Sequence, residues 1–63
     1  MNETKTTIHF EIEEAVGDHW YEVIDYGSVV HYSEKEAKTE YDKMTRAGCK
    51  ARIIKVTSTR EVE

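Results

Sequence analysis

Three histidines and one cysteine are the residues best suited to metal chemistry: His9, His19, His31 and Cys49. Imidazole nitrogens and thiolates bind zinc and related ions, and such ligands commonly occur in pairs a few residues apart. Here the four candidates lie on four different segments of the chain, and none of the paired spacings is present. Because scattered histidines in a small domain are usually structural or surface residues, the sequence predicts no metal site and no cofactor.

Nucleophilic or acid–base catalysis is not indicated either. Cys49 follows Gly48, which should end a helix, and the negative end of a helix raises the pKa of a thiol instead of activating it. Glu11 and Glu13 share one strand face, but general acid–base catalysis needs a cleft that separates their pKa values. A core formed by 63 residues leaves little room for a ligand pocket of roughly 300 Å³. The sequence therefore predicts a protein without catalytic activity or a small-molecule substrate.

Charge is distributed unevenly along the chain, which carries a net charge of −4. Residues 1–42 contain three Lys against eleven Asp and Glu, whereas residues 43–60 contain six Lys and Arg and no acid. The simpler interpretation is that the two halves attract each other in the folded protein. The alternative is that they form two surfaces for different kinds of partner.

The basic half suggests nucleic-acid binding as an alternative function. Arg46, Lys50 and Arg52 could cluster where the helix ends and the last strand begins, and surface aromatic rings could stack on bases. The sequence pI near 5.3 is far below the value above about 9 that is usual for such domains. Glu11 and Glu13 would also repel phosphates. These observations place nucleic-acid binding second to protein binding.

Apolar and polar residues alternate along several segments, as expected for strands. Residues 6–13 alternate most clearly, and residues 19–26 are rich in aromatic and β-branched side chains, so the two should form an antiparallel hairpin. Residues 29–32 form a short third strand or an extended approach to the helix. Residues 50–57 form the last strand.

A capping box marks the start of the single predicted helix. Ser33 and Glu36 have the spacing at which each side chain accepts a hydrogen bond from the other residue's amide. Gly48 should end the helix in a left-handed conformation. Between them, one apolar stripe faces the sheet; it comprises Ala37, Tyr41 and Met44.

The resulting order is ββ(β)αβ and predicts a small α+β fold. One helix packs on one face of a three- to four-stranded, mainly antiparallel sheet. Residues 1–63 form a single domain, in which residues 1–4 and 58–63 are expected to be frayed polar tails.

Apolar side chains occur on both predicted faces of the sheet, although one helix covers a single face. The helix-facing set is Ile8, Phe10 and Ile12, joined by Tyr21, Val23, Ala51 and Ile53. The opposite set is Trp20, Ile24, Tyr26, Ile54 and Val56. An exposed apolar patch of this kind usually marks an interface. The alternative is that the second strand has the opposite register, because a shift of one residue exchanges its two faces.

The predicted function is therefore a non-catalytic protein-binding module that acts through the outer sheet face. Its binding residues are Trp20, Ile24, Tyr26, Ile54 and Val56, with Arg52 supplying charged specificity at the rim, since Trp and Arg are typical interface anchors. A homodimer through the same face is the main competing use. Pairing across an exposed edge of the first strand is another.

Short segments typical of a β-helix-β unit cover most of residues 20–63: WYEVI at 20–24, SEKEA at 33–37, ARIIKVT at 51–57 and the closing EVE. On these segments the chain resembles the short accessory proteins of phages and prophages. This resemblance implies a regulator or inhibitor that binds a bacterial host protein. It implies no particular functional residue.

The first residues, the length of the apolar runs and the cysteine content indicate where the protein is located. The first residues contain no apolar signal segment, and no apolar run reaches the length of a membrane span. A single cysteine excludes a disulfide within the chain. The sequence therefore predicts a cytoplasmic protein that does not bind membranes.

Overall fold

The computed structural model describes residues 3–62. In chain order its elements are β1 (Glu3–Val16), β2 (His19–Glu22), β3 (Ile24–Asp25), β4 (Ser28–Val29), α1 (Glu34–Arg46) and β5 (Ala51–Val62). Strands β2, β1 and β5 form an antiparallel sheet in that order, and β3 pairs with β4 in a separate hairpin. The predicted α+β fold, with one helix and a mainly antiparallel sheet, is confirmed.

Strand β1 lies in the middle of the sheet, and its alternation defines two faces. Ile12 pairs with Ile53 of β5, and Ile12 has only 1% of its surface exposed. Because α1 packs against both β1 and β5, we call the Ile12 side the inner face and the opposite side the outer face. Side chains directly opposite each other in a ladder share a face, so Trp20, which pairs with Ala15, lies on the outer face. The alternative register of the second strand is thus excluded.

Helix α1 begins and ends as its sequence predicts. The Ser33 hydroxyl accepts a hydrogen bond from the Glu36 amide, and the Glu36 carboxylate accepts one from the Ser33 amide. At the other end, Gly48 has φ +86°, and the amides of Gly48 and Cys49 donate to the carbonyls of Thr45 and Met44. This pair of bonds is a Schellman motif, which satisfies carbonyls that the helix leaves unpaired. Along the predicted stripe, Ala37 is fully buried, and Tyr41 and Met44 are half-buried.

The second strand is interrupted, which corrects the prediction of a continuous strand over residues 19–26. Val23 still donates its amide to the Ile12 carbonyl, but the chain then leaves the sheet as the β3–β4 hairpin. It returns at Tyr32, which exchanges two backbone hydrogen bonds with Phe10. A continuous strand would place Asp25 opposite Phe10 on the inner face. The hairpin places Tyr32 there instead, which avoids burying a carboxylate beside the helix.

The tip of this hairpin has an unusual backbone. Tyr26 and Gly27 both have positive φ, of 51° and 78°, as a type I′ turn between paired strands requires. Glycine adopts this conformation freely, but a tyrosine in the left-handed region is strained. Tyr26 is also fully exposed, so no packing within the described chain offsets the strain.

The long ladder between β1 and β5 extends further than the sequence predicts. Glu3 pairs with Val62, so residues 3–4 and 58–62 are paired strand where frayed tails were expected; Met1, Asn2 and Glu63 lie outside the described residues. Thr4, Thr59 and Val62 are among these residues, and β-branched residues favour strands. Residues 14–16, which follow the first predicted strand, are also part of β1. The structure is accordingly elongated, measuring 51 × 23 × 22 Å.

Helix α1 is too short to cover this ladder. Thirteen residues span about 20 Å, less than half of the long dimension. Ile8 and Tyr21 lie on the inner face by register, yet each has 54% of its surface exposed. This corrects the expectation that both join the core, which is confined to the part of the sheet beneath the helix. Among residues 3–62, no helix has the length and apolar character needed to span a membrane.

Candidate functional site on the outer sheet face

Three strands contribute to an ordered cluster of Trp20, Arg52 and Glu13 on the outer face. Glu13 of β1 lies directly opposite Arg52 of β5. Arg52 Nε and Nη2 lie 2.7 and 2.6 Å from Glu13 Oε1. The Arg52 guanidinium carbon also lies 4.1 Å from the centre of the Trp20 ring, which β2 places on the other side of Glu13. The guanidinium group is thus held by an ion pair and a cation–π contact at once.

This arrangement leaves an amphipathic surface whose charged side chain is already held in place. Trp20 is half-buried, and Arg52 keeps 47% of its side chain exposed. Lys50 brings a second cation to within 5.9 Å of the Trp20 ring centre. Because contacts within the chain already hold the Arg52 side chain, little of its conformational entropy would be lost when a partner binds.

Two aliphatic residues of β5 continue the outer face away from Trp20. Ile54 pairs with Glu11, and Val56 pairs with His9. Both aliphatic side chains are half-buried. The structure therefore brings Trp20, Arg52, Ile54 and Val56 onto one surface, as the alternation of the sequence predicts; their binding role stays a prediction.

Ile24 and Tyr26 do not belong to this surface, which corrects their placement on the outer sheet face. Both lie in the β3–β4 hairpin, where Ile24 is 63% exposed and Tyr26 is fully exposed. The physical reason is the departure of the chain from the sheet after Val23. The six predicted binding residues thus divide into four on the sheet and two on the hairpin.

The three basic residues of the alternative nucleic-acid site are divided as well. Lys50 and Arg52 both lie near Trp20. Arg46 is an exposed residue in the last turn of α1, and that helix packs on the inner face. The guanidinium of Arg52 is also paired with Glu13, which reduces the positive charge available to a phosphate.

A second cluster on the outer face consists of His9, Glu11 and His31. Nε2 of His9 lies 2.6 Å from Oε2 of Glu11, and Nε2 of His31 lies 3.8 Å from the same oxygen. The two imidazole rings are stacked, with centroids 3.8 Å apart and planes inclined by 20°. One potential ligand atom from each residue lies within 4.8 Å of the others. The fold thus brings together two of the histidines that lie on different segments of the sequence.

Sequence reasoning could bring together two of the three residues of this cluster. His9 and Glu11 are two residues apart on a clear strand, so their shared face follows from the alternation. The position of His31 cannot be predicted from the sequence. It lies opposite Glu11 only because the β3–β4 hairpin interrupts the second strand. With a continuous second strand, Ile24 would lie at that position.

A surface groove of about 380 Å³ lies between Tyr32 and the first turns of α1. Its lining is Tyr32, Lys35, Glu36, Thr39 and Glu40. Burial raises the pKa of Tyr32, and the negative charges of Glu40, Asp25 and Glu36 raise it further. The groove is larger than the pockets expected from the sequence, but it lies on the surface and not in the core. Polar and charged residues line it, but the surface that they present to the groove is more apolar than polar, with an uncharged phenol beside carboxylates.

Cys49 lies on the other side of the sheet from the histidine cluster. A hydrogen bond with the Glu14 carboxylate raises the pKa of the Cys49 thiol, and desolvation and the Glu14 charge act in the same direction. The expected direction of the shift is thus found, but its main cause is Glu14. A raised pKa lowers the thiolate fraction at neutral pH and makes the sulfur a poorer nucleophile.

Comparison of the chain with protein-family models, with curated proteins and with solved structures gives no match.

Proposed function

We propose that this chain is a non-catalytic protein-binding module that docks a protein partner on its outer sheet face. The observation that carries the proposal is the ordered contact between Trp20 and Arg52, with the guanidinium 4.1 Å from the ring centre and fixed by Glu13. Tryptophan and arginine are the residue types most often found to dominate binding energy at protein interfaces. Here they are placed together on the sheet face turned away from the helix.

The surroundings of this pair have the composition of a small interface. Ile54 and Val56 extend an apolar strip along β5, whereas Glu11 and Glu13 of the central strand bring charge between this strip and Trp20. Non-obligate protein interfaces are about as polar as the rest of the protein surface, so this mixture of apolar and charged side chains suits a protein partner. The net charge of −4 favours a partner with a basic surface, since opposite charges speed association.

The resemblance to phage and prophage accessory proteins supports a bacterial host protein as the partner. We propose that the partner is a bacterial host protein whose activity the module regulates or inhibits in the cytoplasm.

The experiment is an affinity capture from bacterial lysate with matched variants, followed by a direct measurement of affinity. Trp20→Ala and Arg52→Ala should each weaken binding of the captured protein by about 30-fold or more, as expected for anchor residues worth about 2 kcal/mol. The matched controls are Tyr21→Ala, an exposed aromatic on the inner face, and Arg46→Ala on the helix. Equal affinity of all four variants for the purified partner would reject the proposed surface.

Nucleic-acid binding is retained as a second candidate because Lys50 and Arg52 both flank the Trp20 ring. A binding site of this kind would stack a base on the aromatic ring and hold phosphates with the cations. It predicts binding to an arbitrary single strand that weakens steeply as salt increases. No binding at low salt would eliminate this candidate.

Self-association through the same face makes a different prediction. Sedimentation of the purified chain at micromolar concentration separates a homodimer from a monomer. A dimer that dissociates on Trp20→Ala substitution but not on Tyr21→Ala substitution would assign the outer face to a second copy instead of a different protein.

A further inference from the structure

We propose that His9, Glu11 and His31 form a binding site for a divalent first-row transition ion of the zinc class. The site is separate from the Trp20–Arg52 cluster and does not depend on the proposed protein partner. The inference rests on the convergence of two imidazole nitrogens and one carboxylate oxygen on one small region of the outer face.

The distances are close to those that such an ion requires. Zinc binds histidine nitrogen and carboxylate oxygen at about 2.0–2.2 Å, which puts neighbouring ligand atoms of a tetrahedral site about 3.3 Å apart. The observed separations from Oε2 of Glu11 are 2.6 Å to His9 and 3.8 Å to His31. These values lie on either side of that spacing, so side-chain rotations suffice to bring all three atoms onto one ion.

The backbone already holds the three residues in place. His9 and Glu11 are paired with Val56 and Ile54 within the central ladder. His31 precedes Tyr32, whose amide and carbonyl bond to Phe10 at 2.7 and 2.9 Å. Since the backbone positions are fixed by hydrogen bonds, the cost of assembling the ligands is confined to their side chains.

His31 provides the freedom needed for coordination. An ion bound to an imidazole nitrogen lies in the plane of the ring, so two rings stacked at 3.8 Å cannot both point at it without one of them turning. His31 has 61% of its side chain exposed, against 26% for His9 and 15% for Glu11. The His31 ring can therefore rotate out of the stack while the other two ligands stay largely in place.

The donor set selects the class of ion. Imidazole nitrogen suits zinc, copper, iron, cobalt and nickel, whereas magnesium and calcium prefer shells made of oxygen. Two histidines and one carboxylate fill three positions and leave at least one to water or another donor. The exposure of His31 keeps that position open to solvent.

The test is calorimetric titration with Zn²⁺ in the Cys49→Ser protein, which removes the single thiol of the chain. We expect one ion per chain. His31→Ala should weaken Zn²⁺ binding by at least about 100-fold, because losing even an outer-shell partner costs about 10–100-fold. His31→Ala is the leading variant because an exposed side chain contributes little to folding, and Glu11→Gln provides a second variant of nearly equal shape.

The matched control is His19→Ala, since His19 is an exposed histidine of β2 on the inner face. It should bind Zn²⁺ as the parent protein does, and Mg²⁺ should not compete. Binding of Co²⁺ should give visible absorption bands that disappear in the His31→Ala protein. Equal Zn²⁺ affinity in the His19→Ala and His31→Ala proteins would overturn the proposal, as would the absence of saturable binding. If each chain bound half an equivalent of Zn²⁺ and the sedimenting mass doubled, the ion would be shared by two copies, which would contradict a site within one chain.

Discussion

Arg52 illustrates how a single side chain connects three strands of this small protein. It lies on β5, pairs with Glu13 on β1 and contacts Trp20 on β2. A lysine at this position could keep the charge but could not offer a planar guanidinium to both the carboxylate and the ring. Arginine is therefore the basic residue that can make both contacts at position 52.

Cys49 gives a prediction about reactivity at the residue scale. Its hydrogen bond with the Glu14 carboxylate raises the pKa of the thiol. Glu14→Gln removes the negative charge that opposes thiolate formation, so the pKa should fall and more thiolate should be present at pH 8. We expect iodoacetamide to alkylate Cys49 several-fold faster in the Glu14→Gln protein than in the parent.

The control for this reaction is Glu22→Gln, which removes the same charge from an exposed residue of β2. It should leave the alkylation rate close to that of the parent. Equal rates in the two variants would show that Glu14 does not control the thiol.

At the scale of the elements, the β3–β4 hairpin contains a site where stability can be increased. Tyr26 occupies a left-handed backbone position with φ 51° and is fully exposed. Asparagine is favoured at this position of a type I′ turn. Tyr26→Asn should therefore raise the free energy of unfolding by about 1 kcal/mol, since it relieves strain without removing a packed side chain.

Urea denaturation of the two proteins measures this difference. Tyr26→Ala is the control, because alanine removes the ring without favouring the left-handed conformation. A loss of stability in Tyr26→Asn would show that the tyrosine makes a contact worth more than the strain. If Tyr26→Asn also weakened capture of the protein partner, the hairpin would belong to the binding surface together with the sheet.

The elements also show where sequence reasoning succeeds and where it ends. The capping box at Ser33 and the left-handed Gly48 are local signals, and both define the helix ends as predicted. The alternation of β1 likewise follows from a period of two. The interruption after Val23 has only a weak local signal, Asp25, because the aromatic and β-branched residues around it favour a strand. A continuous strand would place Asp25 opposite Phe10 on the inner face, and this conflict depends on a pairing between distant parts of the chain.

In the candidate sites, too, positions set by regular strands could be predicted, whereas positions set by distant pairings could not. Trp20, Ile54 and Val56 share a face because each lies within a regular strand, and that could be inferred from the sequence. Ile24 was placed wrongly, and the proximity of His31 to Glu11 was missed, for one common reason. Both errors arise from the position at which the chain leaves β2 and returns to β1.

At the scale of the whole molecule, stability depends on very few side chains. Within residues 3–62, the hydrophobic residues that are almost completely buried are Ile12 and Ala37, with 1% and 0% of their surface exposed. Ile12→Ala should lower the free energy of unfolding by about 2–5 kcal/mol. A domain of this size has a total stability of about 5 kcal/mol, so we expect the variant to be largely unfolded at 37 °C.

Circular dichroism during thermal unfolding tests this expectation. The matched control is Ile8→Ala, the same substitution on the same strand and face, but at a residue with 54% exposure. It should cost less than about 1 kcal/mol. Similar losses from both substitutions would mean that the ladder beyond the helix contributes to the core as much as the covered part does.

The interruption of the second strand also makes the hairpin tip a separable part of the protein. The Val30 amide donates to the Val23 carbonyl at 3.1 Å, so the loop is closed at its base. If residues 24–30 were removed, His31 would follow Val23 directly and would still lie opposite Glu11. These seven residues can therefore be shortened, exchanged or used to carry a label while the register of the remaining chain against β1 is preserved.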